Sequence, residues 1–313
     1  MYFATAGIEV NPFIPPLVAF VVSFFTSMGG VSGAFLLLPF QVSFLGFTTP
    51  SVSATNQLFN IVAIPSGVIR YVREGRMVWP LTFVVIVGTL PGVLIGAIIR
   101  VKYLPDPGNF KIFAAVVMLW IGYKLLMGLV GKGNTNDKKE AEKRFQKLLL
   151  QYRERTDRDE NTSAVQVRTF SMKRIVYEFY GEIYDFSTVG ILSLSLVVGV
   201  VGGIYGIGGG SIIAPFFVAV FGLPVYTVAG AALMGTFVTS VAGVAFYQII
   251  APLYPEQVIA PDWGLGFLFG IGGLFGMYFG ARCQKFFSAS LIKWMLCGVI
   301  LFTAGKYLCE FFI

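Results

Sequence analysis

The 313-residue sequence contains no histidine, only three cysteines, and charged side chains at only 12 % of its positions. Soluble globular domains carry roughly 25 % charged residues, so the last shortage excludes that class. Without histidine, and with no Asp, Glu, Lys or Arg in the middle of an apolar run, a side-chain proton relay across a membrane has no parts. The same gaps argue against an intramembrane enzyme, which needs a nucleophile–base pair or metal ligands. Cys283, Cys297 and Cys309 are too widely spaced for a C-x-x-C pair and read as free, packed thiols. No metal and no cofactor is expected. The first twelve residues hold no Lys or Arg and no small-residue cleavage site follows, so a cleavable signal peptide is not expected either.

What is abundant is apolar. Hydrophobic residues make up 56 % of the chain and the mean hydropathy is +0.77, which marks a polytopic membrane protein in a lipid bilayer. The formal charge of +7 is not a nucleic-acid surface. Outside 131–186 the basic residues, among them Arg70, Arg73, Arg100, Lys102 and Lys111, stand at or near the ends of apolar runs, where orientation charges and snorkelling side chains belong.

The chain is organised around Gly202-Gly203-Ile204-Tyr205-Gly206-Ile207-Gly208-Gly209-Gly210-Ser211. Glycine costs a helix roughly 1 kcal/mol against alanine, so this run breaks one. Such a break is tolerated in a membrane only where it is buried in protein or lines a cavity. A weaker copy, Gly29-Gly30-Val31-Ser32-Gly33, lies 176 residues upstream. At that single offset Gly30 matches Gly206, Gly33 matches Gly209, Pro39 matches Pro215 and Phe40 matches Phe216. Gly46 and Gly222, Val52 and Val228, Gly67 and Gly243, and Tyr71 and Tyr247 continue the series. The chain is an internal duplication.

Each side of the first break, within 13–46, has about 14 residues, roughly 21 Å as helix and short of a ~30 Å hydrocarbon core. This predicts a pair of short or re-entrant helices, then spans over 50–70 (kinked at Pro65), 79–100 and 108–130. The second half repeats it: a broken pair over 187–222 and spans near 226–250, 263–283 and 290–311. Arg70, Arg73 and Arg76 put the 70–78 loop in the cytoplasm, while 251–262, with Glu256 and Asp262 and no basic residue, faces out. The 100–111 loop is then outside despite its three basic residues. Both termini come out on that side too, and 131–186 comes out cytoplasmic. The expected fold is an all-α polytopic membrane protein of two inverted repeats, each of about five helical elements, broken at the glycine motifs. Its parts are repeat 1 over 1–130, a charged loop or small domain over 131–186, and repeat 2 over 187–313.

At an offset of 184, Gly88, Gly92 and Gly96 match Gly272, Gly276 and Gly280, two stripes of the small-residue kind that seam helices together. The segment 131–186 carries twelve basic and ten acidic residues. Asp137 to about Arg155 has helical composition, and Val165, Val167 and Thr169 alternate like a short strand. A solvated linker and a small regulatory or docking domain with a cytoplasmic partner both stay open, as does a homodimer.

Inversion would make the helices after Gly33 and Gly209 start near the midplane and run in opposite directions. Their N-termini, with unpaired N–H groups and positive dipole ends, would share one point that favours an anion. The candidate residues at that point are Gly30, Ser32, Gly33, Gly206, Gly208, Gly209, Gly210 and Ser211. Around them, Asn56 and Asn60 lie on one helical face with Ser53 and Gln57, and Thr236 and Ser240 form a stripe with Thr239. These amides and hydroxyls suit substrate contact or interhelical hydrogen bonding equally. Pro39 and Pro215 free the carbonyls of Phe35 and Ser211 one turn into the short helices.

The stretch GGIYGIGGGSIIAPFFVAVFGLPVYTVAGAALMGTFVTSVAG (202–243) resembles the signature half of the sulfite exporter TauE/SafE family, and SMGGVSGAFLLLPFQVSFLGFTTPSVSATNQLFN (27–60) is similar to its first half. The resemblance covers nearly all the membrane segments and leaves out most of 131–186. It implies export of small sulfur-containing anions, such as sulfite or organosulfonates, across the bacterial cytoplasmic membrane. The chain departs from the family pattern in having GGVSG for a full GxGGG in its first half, and in its long charged central loop. The expected function is an anion transporter working by alternating access. An anion channel on the same site is the alternative.

Overall fold

The computed structural model describes residues 1–28, 31–73, 75, 77–130, 165–179, 181–221, 223, 225–283 and 289–312. A two-residue hairpin, β1 (Tyr2–Phe3) with β2 (Ile8–Glu9), opens the chain. Helices α1 (Ile14–Met28) and α2 (Ala34–Ser43) flank the first break, and α3 (Ser51–Ala63) and α4 (Pro65–Arg73) meet at Ile64. Two 24-residue helices, α5 (Trp79–Lys102) and α6 (Pro107–Val130), complete the first half.

After the charged segment come β3 (Val165–Phe170), β4 (Arg174–Phe179) and β5 (Glu182–Ser187). The second break lies between α7 (Thr188–Tyr205) and α8 (Ile213–Phe221). Then follow α9 (Val225–Ile250), a 3-10 turn at Ala251–Leu253, α10 (Trp263–Cys283) and α11 (Ala289–Phe312). Among the described residues, Trp79–Lys102, Thr188–Tyr205, Thr227–Leu253 and Trp263–Gly280 are long and apolar enough to cross a membrane.

The glycine stripes set the packing. On α10, a β-carbon at Gly272, Gly276 or Gly280 would collide with the carbonyl oxygens of Pro16, Phe20 and Phe24 on α1. On α5, Gly88, Gly92 and Gly96 stand in the same way against the carbonyls of Leu192, Leu196 and Val200 on α7. Pro16, Phe20 and Phe24 are the residues 176 positions before Leu192, Leu196 and Val200. Each stripe therefore brings the first helix of the other half into backbone contact; the two stripes do not cross each other. Helices α3–α4 run antiparallel to α9: Gln57 lies against Gly243, Asn60 against Ser240 and Gly67 against Leu233.

An all-α chain was expected, and the fold is mostly helical, but the end of the charged segment forms a three-stranded antiparallel sheet. The alternation of β4 explains why it is not a loose linker. Ile175, Tyr177 and Phe179 are buried and belong to the same hydrophobic core as α7 and α8. The Tyr177 hydroxyl lies 2.8 Å from Thr227 Oγ1 at the start of α9, and the ring of Phe170 meets Phe83 of α5 edge-on. Ser187 ends the sheet and caps α7 by accepting from Gly190 N–H. The expected helix from Asp137 to about Arg155 lies outside the described residues.

At the opposite end, Asp262 caps α10 by accepting from Leu265 N–H at 2.9 Å. Its other carboxylate oxygen accepts from Ala6 N–H, which pins the N-terminal hairpin there.

Candidate functional site

Both breaks come to α3. The amide nitrogen of Asn56 donates to Ala34 O, at the start of the first short helix, at 3.0 Å, and to Gly206 O, in the second break, at 3.1 Å. One turn on, Asn60 Oδ1 accepts from Ser32 Oγ at 2.6 Å while Nδ2 donates to Ile207 O at 2.9 Å and to Ser240 Oγ at 3.3 Å. Ile207 O also accepts from Ser211 Oγ, which sits 3.4 Å from Thr236 Oγ1. A continuous chain of hydrogen bonds thus runs Ser32–Asn60–Ile207–Ser211–Thr236, from one break to the other.

The second break is shaped by what approaches it. Gly206 and Gly208 both have φ of +78°, a region that L side chains rarely adopt, so the turn itself requires glycine. A β-carbon at Gly206 would fall on Ser53, at Gly208 on Thr236 and Ser240, at Gly209 on Thr89, and at Gly210 on the carbonyl of Ala232. Gly209 N–H donates to Thr239 Oγ1 at 3.1 Å. In the first break Ser32 Oγ accepts from Ala34 N–H at 3.3 Å, and Gly33 is packed against Ser23. Gly30 lies outside the described residues. The structure places Ser32, Gly33, Asn56, Asn60, Gly206, Gly208, Gly209, Gly210, Ser211, Thr236 and Ser240 in this one region.

The carbonyl freed by Pro39 finds a partner across the halves: Phe35 O accepts from the Tyr205 hydroxyl at 3.4 Å, and the two rings stack. Gln41, Thr89 and Tyr205 were not among the expected site residues. Gln41 Nε2 donates to Asn56 Oδ1 at 3.2 Å and fixes the amide that joins the breaks. An amide inside a short apolar helix and a threonine inside a glycine stripe were the available signals.

Several buried polar atoms near the breaks have no partner: Ser23 Oγ, Ser53 Oγ, Gln41 Oε1 and both amide atoms of Gln57. Native proteins leave few such groups without a partner. Among the described residues no group of three His, Cys, Asp or Glu side chains could hold a metal ion. What this arrangement can do is hold a polar solute through neutral donors and backbone dipoles.

The sequence matches the family described as Sulfite exporter TauE/SafE over residues 16–307. The chain belongs to the TauE/SafE sulfite exporter family. The match takes in both breaks, the sheet and all the described α-helices except the first two residues of α1 and the last five of α11. No curated protein and no solved structure matches the chain. TauE/SafE membership makes this a membrane protein of an anion-exporter family, whose members are transporters and not enzymes.

Proposed function

We propose that this TauE/SafE chain carries a small sulfur-containing anion, sulfite or an organosulfonate, out across the cytoplasmic membrane by alternating access at the two breaks. The observation that carries the reading is the single Asn56 nitrogen bonded to Ala34 O and Gly206 O, which ties both breaks into one cluster. The short helices α2 and α8 begin at that cluster. Their first N–H groups, of Ala34 and Ile213, donate to Ser32 Oγ and Gly210 O, and their positive dipole ends favour negative charge. Binding by neutral groups lets an anion leave again, as conduction and transport require.

Two relationships support inverted repeats. Helices α3–α4 and α9 are equivalent by the 176-residue offset, yet lie side by side and antiparallel. The α1–α10 and α7–α5 contacts repeat the same residue pairs with the halves exchanged. Alternating access then follows from rocking one repeat bundle against the other around the central site. The orientation argued from the basic 70–78 loop puts the sheet in the cytoplasm, because Tyr71 and the sheet residue Tyr177 both meet the first turns of α9. It puts the N-terminal hairpin and the 251–262 loop outside together, since Asp262 joins them.

The test is sulfite counterflow into sealed vesicles. A carrier saturates and is accelerated by sulfite on the far side, whereas a channel gives electrogenic flux without saturation. Sulfite converted without flux, or neither flux nor stabilisation of the protein by sulfite, would sink the transport reading.

A further inference from the structure

Arg100 belongs to neither break. Its position near the end of α5 suggests a charge at the membrane surface, but the side chain is completely buried. One guanidinium nitrogen donates to Leu104 O and another reaches Thr48 O at 3.5 Å, while its carbon lies 3.9 Å from the centre of the Phe110 ring. Nε has no partner. No carboxylate among the described residues forms an ion pair with this cation. A charge taken from water into a membrane protein without a counter-ion is costly and marks a path for ions or substrate.

Its surroundings supply more donors. Tyr247 of α9 is fully buried and shares a hydrophobic cluster with Ala54, next to Ser53 on α3, and with Ala97 and Val101, which flank Arg100 on α5. Neither its hydroxyl nor that of Ser53 has a hydrogen-bond partner, and both are buried. Ser53 in turn is the residue on which a β-carbon at Gly206 would fall. A line of groups able to donate therefore leads from the second break to Arg100.

We propose that Arg100, Tyr247 and Ser53 form a second anion station, between the two breaks and the end of the molecule at Thr48 and Leu104, that takes a small oxyanion such as sulfite. It rests on the reading that an anion passes through the breaks. An oxyanion there gives the guanidinium its counter-charge, accepts from Nε–H, and gives both hydroxyls an acceptor. The three groups bring no negative charge of their own. Two stations in series, the inner one neutral and the outer one cationic, pass the solute along without holding it too tightly at either. Burial in this role also takes Arg100 out of the set of surface charges that fix orientation, so the 100–111 loop opposes an outside placement less than its composition implies.

The test uses the full chain in vesicles, with sulfite as the probe supplied at the Thr48–Leu104 face. Tyr247→Phe keeps the ring and removes one donor to the anion, so KM should rise about tenfold while the maximal rate stays within about twofold. Ser53→Ala should act in the same direction. Arg100→Gln should raise KM further, with Arg100→Lys in between, and the affinity of the wild type should fall with added salt more than that of Arg100→Gln. If Arg100→Gln fails to fold, Tyr247→Phe and Ser53→Ala decide the matter. Saturable wild-type flux with an unchanged KM in both of these variants overturns the station alone. Absence of sulfite flux in the wild type overturns the transport reading and the station with it.

Discussion

Asn60 of α3 donates to Ser240 of α9 across 3.3 Å, joining two helices that the duplication makes equivalent. The same amide holds Ser32 and Ile207, so it bonds to both breaks at once. Asn60→Ala strands the Ser32 hydroxyl in a buried place and should cost about 1–3 kcal/mol of stability. Ser240→Ala removes only the longest of these bonds and should cost less than about 1 kcal/mol. Thermal unfolding in detergent, with and without sulfite, measures both. An Asn60→Ala variant as stable as wild type would show that the two breaks are held together by something else.

Much of this was legible in the sequence because a duplication leaves a periodic record. The 176-residue offset names equivalent residues, and the helix limits follow from apolar runs closed by glycine, proline and arginine. Partners were not legible. The face carrying Asn56 and Asn60 could be read from helical spacing, but nothing local says that those amides bond to Ala34, Gly206 and Ile207. Arg100 shows the same limit: a cation at the end of an apolar helix can snorkel or bury itself, and Phe110 and Leu104 decide which. The alternation of Val165, Val167 and Thr169 marks a strand, but that of β4, Arg174-Ile-Val-Tyr-Glu-Phe179, is masked by acidic and basic neighbours in a segment whose composition fits a solvated linker and a small domain alike.

Gly276 and Gly92 make a matched pair. Each sits where a carbonyl of the opposite half, Phe20 or Leu196, leaves no room for a side chain. Gly276→Ala and Gly92→Ala should each lower the yield of folded protein and its unfolding temperature, by similar amounts. Gly298 and Gly305 on α11 face open space. Alanine there should be neutral, or stabilise the helix by up to about 1 kcal/mol. Equal tolerance of alanine at all four sites would contradict the close helix contacts.

Gly209 meets the side chain of Thr89, so its lack of a β-carbon is a packing requirement as well as part of the break. Gly209→Ala should destabilise the protein, and Gly209→Leu should abolish stabilisation by sulfite. Adding Thr89→Gly removes the obstructing β-carbon and should recover much of the loss caused by Gly209→Ala. A double-mutant cycle should then give a coupling above about 1 kcal/mol, as expected for residues in contact. Additive effects would mean that alanine at 209 acts through the backbone alone.

Tyr177 joins the sheet to the membrane helices through Thr227, and burial pushes its phenol from the ordinary 10.0 up to about 12. The folded state thus favours the neutral phenol. Its contribution is complete below the unfolded value near 10 and is lost as the pH rises through about 12. A shift of this size corresponds to stability on the order of 2–3 kcal/mol. Tyr177→Phe keeps the buried ring and removes the titrating group, so the alkaline loss of stability between these limits should shrink in this variant. At neutral pH the missing bond to Thr227 should cost only about 1 kcal/mol. Unfolding temperatures measured from pH 8 upward, with tyrosinate absorbance to follow the ionisation, test both parts. If the two proteins lose stability in parallel over that range, some other group governs the alkaline limit.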